Sequence, residues 1–248
     1  MPVSPSQHSI ARASTTAGVS PLAVAVYWTV TDSLDGAAVT RLLRELAAEE
    51  RAKAQRFQFA ADRILYITAH AMLRRVLRRH LGGEPSIVSN SLGRPGLAPR
   101  CERGPATSFS LTHTRGFAAC AVLDNAPVGI DAEDIRRPIE VGAVAARWYA
   151  PAEQELLAQL PEQHRLDMFF RIWTLKEAIL KATGHGLRIE PQCFAVDPAR
   201  GCATIPRQLG LPRHWRLAEL APLPDIRMAL AIPGEGPLAP SPTRIALG

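Results

Sequence analysis

Two short segments of the chain carry acidic and basic side chains at spacings that could hold a divalent cation against a phosphorylated ligand. Asp131 and Glu133 lie two residues apart at the end of the apolar run 126–130, and side chains two apart on a strand share one face. Glu177 and Lys181 lie four apart, which places them on one face of a helix. Both strand carboxylates can therefore reach one cation. Glu177 can complete its oxygen ligands, and Lys181 can meet a phosphate.

Each half of this pattern also has an ordinary explanation. A Glu and a Lys four apart on a helix commonly form an exposed ion pair, and two acids at a strand end are commonly just solvated. Lysine usage favours the functional explanation, because the chain contains 29 Lys and Arg residues but only three lysines. Two of them, Lys176 and Lys181, fall within nine residues of each other. Lysine supplies a compact, mobile charge that arginine does not.

The composition predicts an ordinary globular protein. At 248 residues, 47% hydrophobic and 21% charged, the chain can form one large domain or two small ones. No apolar run approaches the roughly 20 residues that a membrane-spanning helix needs. We therefore expect a cytoplasmic protein with no membrane partner.

The cysteines and the net charge limit the classes of partner. The four cysteines show neither CxxC spacing nor paired histidines, so neither a zinc site nor a disulfide framework is indicated. The net charge of +6 favours polyanionic partners. These include nucleic acid, a phosphorylated cofactor and an acidic protein, and the charge alone does not choose among them.

The hydrophobic pattern predicts two similar α+β lobes, 21–124 and 125–232, between a flexible arm over 1–20 and a flexible tail over 233–248. The order of a strand, helical segments, a long helix and closing strands recurs at sequence offsets of 103 to 105 residues. In that alignment Met72 and Val76 correspond to Glu177 and Lys181. The metal site then belongs to the second lobe alone, and a ligand would bind in the cleft between the lobes.

Further candidate residues lie in the first lobe. Arg56 and Arg63 flank two phenylalanines ahead of a helix rich in arginine, which fits either phosphate binding or a nucleic-acid surface. The turn at Gly93-Arg94-Pro95 lets the backbone approach a ligand while Arg94 grips a phosphate. His113 stands among hydroxyls at a predicted strand end, where it is either a structural histidine or a ligand contact.

Several of these segments occur in the order found in one enzyme family, the Sfp-type 4′-phosphopantetheinyl transferases, which the chain resembles from about residue 56 to residue 187. The segments that carry the resemblance are Arg56-Phe57, Asp62-Arg63, Gly93-Arg94-Pro95, FSLTH at 109–113, GIDAE at 129–133, FRIWTLKEAILK at 170–181 and GHGL at 184–187.

The resemblance implies an α+β fold of two pseudo-symmetric lobes with the active site in the cleft between them. It implies transfer of phosphopantetheine from coenzyme A to a serine of an apo acyl or peptidyl carrier protein, with release of adenosine 3′,5′-bisphosphate. We expect the carrier to be acidic, the enzyme to be a monomer, and the cation to be Mg²⁺ with Mn²⁺ as the alternative.

The resemblance also implies roles for single residues. Asp131, Glu133 and Glu177 would hold the metal, Lys181 would contact the pyrophosphate, and Glu177 would act as general base. The residues expected to contact coenzyme A are Arg56, Arg63, Arg94, Thr112, His113, Lys176 and Lys181.

Two rival functions stay open from the sequence. A basic nucleic-acid-binding module would use the first-lobe arginines and leave the carboxylates idle. A metal-dependent nucleotide hydrolase would use the carboxylates, with water in place of the serine. We expect neither, and we expect no nucleic-acid partner.

Overall fold

The structure, a computed structural model, describes residues 20–31, 34–89, 95–98, 106–185 and 188–247. Within these residues no helix is both long enough and apolar enough to cross a bilayer. The helices are α1 (Gly36–Glu45), α2 (Ala48–Ala54), α3 (Ala60–Leu81), α4 (Val141–Trp148), α5 (Pro151–Gln159) and α6 (Glu162–Thr183). The strands are β1 (Leu22–Val30), β2 (Ile87–Ser89), β3 (Pro95–Leu97), β4 (Thr107–Thr114), β5 (Phe117–Asp124), β6 (Gly129–Asp134), β7 (Ala195–Asp197), β8 (Cys202–Thr204), β9 (Trp215–Leu220), β10 (Ile226–Pro233) and β11 (Leu238–Arg244).

The order of elements occurs twice along the chain. A strand, three helices, a small two-stranded sheet and a closing pair of antiparallel strands run from β1 to β5 and again from β6 to β10. In each half the last strand pairs with the first, giving the orders β1-β5-β4 and β6-β10-β9. Helices α1 and α2 are separated at Leu46 and Ala47, where the backbone is extended.

The molecule has four layers of helices and sheets, and a hydrophobic cluster fills each of the three spaces between adjacent layers. β5 is almost wholly buried because its alternate side chains serve two faces: Ala118, Cys120 and Val122 pack with α3, and Phe117 and Ala119 pack toward the second sheet. On the far side, β10 directs Ala229 and Ala231 to α6. The resulting order is helix, sheet, sheet, helix, with β6 beside both the inter-sheet core and α6.

The long helices correct the alignment that the sequence suggests. α3 and α6 both contain 22 residues and both end at a glycine in the left-handed conformation, Gly82 and Gly184. Matching these ends gives an offset of 102 (184 − 82) rather than 105. On this matching of the helix ends, the counterparts of Glu177 and Lys181 are Arg75 and Arg79 instead of Met72 and Val76.

The predicted flexible tail over 233–248 is also corrected. Residues Leu238–Arg244 form β11, which pairs in parallel with β1 at the outer edge of the first sheet. The prolines at 240 and 242 are compatible with an edge strand, where one side of the backbone needs no hydrogen-bond partner. Leu247 is then buried against the first-lobe core. The predicted arm over 1–20 falls almost wholly outside the described residues.

Candidate functional site

The GIDAE and KEAILK segments meet where β6 packs on α6. A Cβ atom placed on Gly129 would lie 1.9 Å from the backbone oxygen of Ala178, so only glycine lets the helix approach this closely. Asp131 and Glu133 follow Gly129 on the same face of β6, since side chains alternate along a strand. The Nζ atom of Lys181 lies 2.7 Å from Oδ1 of Asp131. Sequence spacing thus predicted two pairs, and the packing at Gly129 joins them.

The carboxylates of this site repel one another in a partly dehydrated environment. Burial, together with the charges of Asp131 and Glu133, raises the pKa of Glu177 to about 7, while the charge of Lys181 opposes this rise. Burial also raises the pKa of Glu133, with Asp131 again contributing. The second carboxylate oxygen of Asp131, Oδ2, is buried without a hydrogen-bond partner. The single ammonium group of Lys181 therefore does not offset the repulsion among the three carboxylates.

These acids do not form a closed metal cage from protein atoms. Within the part of the chain that the structure describes, no three His, Cys, Asp or Glu side chains converge tightly enough to surround an ion. The donor set nevertheless fits a hard cation such as Mg²⁺, which needs only one or two carboxylates when waters and ligand phosphates supply the rest. The unpartnered Oδ2 of Asp131 is the atom that such a cation would satisfy.

The raised pKa of Glu177 predicts how the stability of the metal-free chain depends on pH. In the unfolded chain Glu177 loses its proton near the ordinary value of 4.5, whereas the folded chain holds it up to about 7. Between these values the folded state binds more protons, so the free energy of unfolding falls as pH rises, by about 3 kcal/mol in total. Thermal unfolding across this range, with a chelator present, measures the effect. Glu177→Gln should flatten the curve, and an equally steep curve in that variant would contradict the assignment.

Two groups that the sequence analysis did not single out, Trp173 and Arg137, act on Glu133. The Trp173 indole and the Arg137 guanidinium both lower the pKa of Glu133, opposing the effect of burial. Arg137 Nη2 lies 3.7 Å from Glu133 Oε1. Trp173 stands four residues before Glu177 on α6, and that helical spacing is the signal that could have identified it.

His113 lies on β4, and three basic groups act on it electrostatically. Partial burial lowers its pKa, and the positive charges of Lys181, His70 and Lys53 lower it further. Lys181 belongs to the carboxylate site, whereas His70 and Lys53 belong to α3 and α2 of the first half. His113 therefore stands between the acids of β6 and the basic helices.

Thr112, which we expected to contact coenzyme A, instead points its side chain into the contact with β6. Its side chain is buried, and its hydroxyl accepts a hydrogen bond from the Ala132 backbone N–H while donating one to Asp131. The side chain is therefore buried against β6, and its only hydroxyl proton is already donated to Asp131. The prediction that Thr112 contacts the cofactor is therefore corrected.

Lys176 is likewise not a ligand contact. It is 1% exposed, and its Nζ donates to Glu153 Oε1 at 2.7 Å and to the Phe194 carbonyl at 2.6 Å. Successive residues on a helix point about 100° apart, so Lys176 faces the core of the second half while Glu177 faces β6. Glu153 also accepts from the backbone N–H groups of Ala150 and Val196, which makes the pair a structural anchor.

Replacing Lys176 by methionine should destabilise the fold without changing the affinity for coenzyme A. The change leaves the Glu153 carboxylate buried and unpaired, which costs about 3 kcal/mol. Chemical denaturation measures the loss. The double variant Lys176→Met with Glu153→Gln removes the orphaned charge and should recover much of it. A stable Lys176→Met protein with a strongly weakened coenzyme A affinity would restore the predicted ligand role.

The basic residues of the first half divide into two groups. Arg74, Arg75 and Arg78 of α3 form ion pairs with Glu50, Glu45 and Glu84, so much of the arginine cluster is neutralised within the lobe. Arg56 and Arg63 are exposed, in the turn after α2 and in the first turn of α3. Arg94 lies outside the described residues. The pairing of the α3 arginines disfavours the nucleic-acid surface that the sequence left open.

Comparisons with known proteins agree on one family. The 4′-phosphopantetheinyl transferase superfamily matches residues 127–231. The 4′-phosphopantetheinyl transferase HetI of a Nostoc species is 37% identical over 200 residues, covering 79% of this chain and 81% of that protein. The 4′-phosphopantetheinyl transferase psf-1 of Bacillus pumilus is 34% identical over 173 residues, covering 67% and 68%. The Sfp transferase of Bacillus subtilis is 27% identical over 156 residues, covering 63% and 68%.

Proposed function

The chain belongs to the 4′-phosphopantetheinyl transferases of the Sfp type, and from this premise we propose how its own residues carry out the transfer. The observation that carries the proposal is the meeting of Asp131, Glu133 and Glu177 with Lys181 at the contact of β6 and α6. We propose that the pyrophosphate of coenzyme A binds over these side chains, in the cleft between two pseudo-symmetric lobes.

Asp131, Glu133 and Glu177 would hold a divalent cation, Mg²⁺ or alternatively Mn²⁺, at this place. When bound, the ion would neutralise charge that develops on the phosphate oxygens during transfer. Two features of the chain support the assignment: the buried, unpartnered Oδ2 of Asp131, and the raised pKa of Glu177 and Glu133, which burial and the repulsion between the carboxylates produce. Such repulsion is costly for the empty chain, and a cation relieves it.

Glu177 is the proposed general base. In the transfer, a carrier serine hydroxyl forms a bond to the β-phosphorus of coenzyme A, and the bond from that phosphorus to the departing adenosine 3′,5′-bisphosphate breaks. The serine proton has to leave, and Glu177, with a pKa of about 7, is poised to accept it near neutral pH. Lys181 supplies a fixed positive charge beside the same centre, because its Nζ is held 2.7 Å from Asp131.

The nucleotide end of coenzyme A would bind toward the first half of the chain. Lys53 and His70 extend the positive field around His113, and Arg56 and Arg63 are exposed in the turn after α2 and in the first turn of α3. We propose that these cations receive the 3′-phosphate, with Arg94 as a further candidate. The arrangement gives coenzyme A a path from first-half cations to second-half acids, which is what a ligand between two lobes requires.

The carrier protein is the proposed second substrate. The net charge of +6 favours an acidic carrier, because opposite charges speed encounter and select partners. We propose that the enzyme acts as a monomer, because a cleft between two halves of one chain would need no second copy to complete the site.

The direct test is incubation of the chain with coenzyme A, Mg²⁺ and a panel of apo acyl and peptidyl carrier proteins, followed by intact mass. We expect a phosphopantetheine mass on at least one carrier, lost when a chelator is added. Turnover of coenzyme A without any carrier would instead indicate the hydrolase that the sequence left open.

A further inference from the structure

A row of hydroxyl groups joins the two halves of the molecule at the strand that carries the acids. Ser110, Thr112 and Thr114 alternate along β4, and their side-chain oxygens accept hydrogen bonds from alternate backbone N–H groups of β6. The donors are Ile130 at 3.1 Å, Ala132 at 3.1 Å and Asp134 at 3.3 Å. Donor and acceptor are 20 residues apart in every case, so the row fixes one register between the strands.

The hydroxyl row supplies hydrogen-bond acceptors to buried backbone N–H groups at one edge of the second sheet. β6 is an edge strand whose other side pairs with β10, and the N–H groups on its free edge are buried. Buried backbone donors need acceptors, and here side-chain oxygens replace the carbonyls of a neighbouring strand. Because each bond passes through a side chain, the two backbones stand farther apart than the about 4.8 Å of an ordinary sheet.

Thr112 makes one contact that its two neighbours in the row do not make. Besides accepting from Ala132 N–H, its hydroxyl donates to Oδ1 of Asp131 at 3.2 Å, inside the buried interface. Lys181 donates to the same oxygen at 2.7 Å. Both donors therefore hold Oδ1, and this leaves the buried Oδ2 as the free oxygen of the carboxylate.

We propose that Thr112 is a positioning residue: its hydroxyl fixes the carboxylate of Asp131 so that Oδ2 is presented to the cation, while the row locks β6 against the strand of His113. The inference rests on the proposed function, since it assigns Asp131 as a metal ligand. Thr112 would act as a polar group that orients a ligating carboxylate by bonding to the oxygen that does not bind the metal. Loss of such a partner typically weakens metal binding or activity by about 10 to 100 fold.

The test compares Thr112→Val, which keeps the shape and removes the hydroxyl, with Thr112→Ser, which keeps the hydroxyl. Thr114→Val is the matched control, because Thr114 bonds to the Asp134 backbone and to no site carboxylate. Mg²⁺ affinity is measured by calorimetry with saturating coenzyme A and no carrier, alongside kcat, KM for coenzyme A and thermal stability.

We expect Thr112→Val to weaken Mg²⁺ binding and lower kcat by about tenfold each, with KM for coenzyme A changed less than about twofold. Thr112→Ser should behave as the wild type, and Thr114→Val should lose stability but retain Mg²⁺ affinity. Unchanged Mg²⁺ affinity in Thr112→Val, or equal losses in both valine variants, overturns the positioning role.

Two further results bear on the same inference. A Thr112→Ser variant with weakened Mg²⁺ binding overturns it even if Thr112→Val does not fold, because the hydroxyl would then not be the deciding group. A raised KM for coenzyme A with normal Mg²⁺ affinity would make Thr112 a cofactor contact after all. A wild-type chain without Mg²⁺-dependent transfer would refute the proposed function, which is a separate outcome.

Discussion

Replacing Asp131 by asparagine is expected to lower the rate of phosphopantetheine transfer about a thousandfold, corresponding to about 4 kcal/mol of transition-state stabilisation. Asparagine keeps the size of the side chain but removes the charge that pairs with Lys181 and the oxygen that would ligate the cation. The fold should not suffer, because the change also removes a charge that repels Glu133 and Glu177. Intact mass of the carrier over time measures the rate, and thermal unfolding measures the stability.

Asp134→Asn is the matched control for that experiment. Asp134 lies on the same strand, but both of its carboxylate oxygens bond to Arg136 and not to the site. Its replacement should cost stability, by about 1 to 2 kcal/mol, and leave transfer largely intact. Transfer at the wild-type rate in Asp131→Asn would refute the metal assignment. Equal loss of transfer in both variants would show that the strand as a whole, and not the Asp131 carboxylate, sets the rate.

Replacing Glu177 by glutamine is expected to lower kcat by a similar factor and to change the shape of the pH profile. Glu177 accepts the serine proton only as a carboxylate, so the wild-type rate should fall as pH drops below the pKa of this group. That pKa is about 7 in the empty chain, and a bound cation shifts it downward because it favours the charged form. Lowering the Mg²⁺ concentration should therefore move the midpoint of the profile up toward 7.

The residual rate of Glu177→Gln should show no such acid limb. Glu155→Gln, at an exposed position on α5, is the control and should keep both the rate and the profile. Persistence of the acid limb in Glu177→Gln would assign the titration to another group and remove Glu177 from the role of base. Loss of the rate with full retention of Mg²⁺ affinity would separate proton transfer from metal binding and support the base directly.

The family and the central chemistry could be predicted from the sequence because they depend on short segments. Acids two apart on a strand and an acid and amine four apart on a helix keep their relative placement in any fold that preserves those elements. The order of the segments added the transferase family, which the relatives confirm. Local periodicity also predicted that the order of strand, helices and strands recurs along the chain. The two halves of the structure have this repeated order.

The sequence-based predictions failed where contacts between residues far apart in the chain determine the structure. The 105-residue alignment of the helices depended on a few matched residues, whereas the glycines that end α3 and α6 lie 102 residues apart. The tail over 233–248 has a composition typical of a loop, and only pairing with β1 makes residues Leu238–Arg244 a strand. No local pattern reports such a parallel partner two hundred residues away.

By itself, the sequence determined which groups are present and which of them share a strand or a helix face. Only the tertiary structure decided which face meets which neighbour: it placed Lys181 on Asp131 and buried Lys176 on Glu153. It also turned Thr112 from an expected ligand contact into a partner of Asp131. The physical reason is that periodicity fixes angles within an element, whereas the close approach of β6 and α6 at Gly129 fixes the distances between elements.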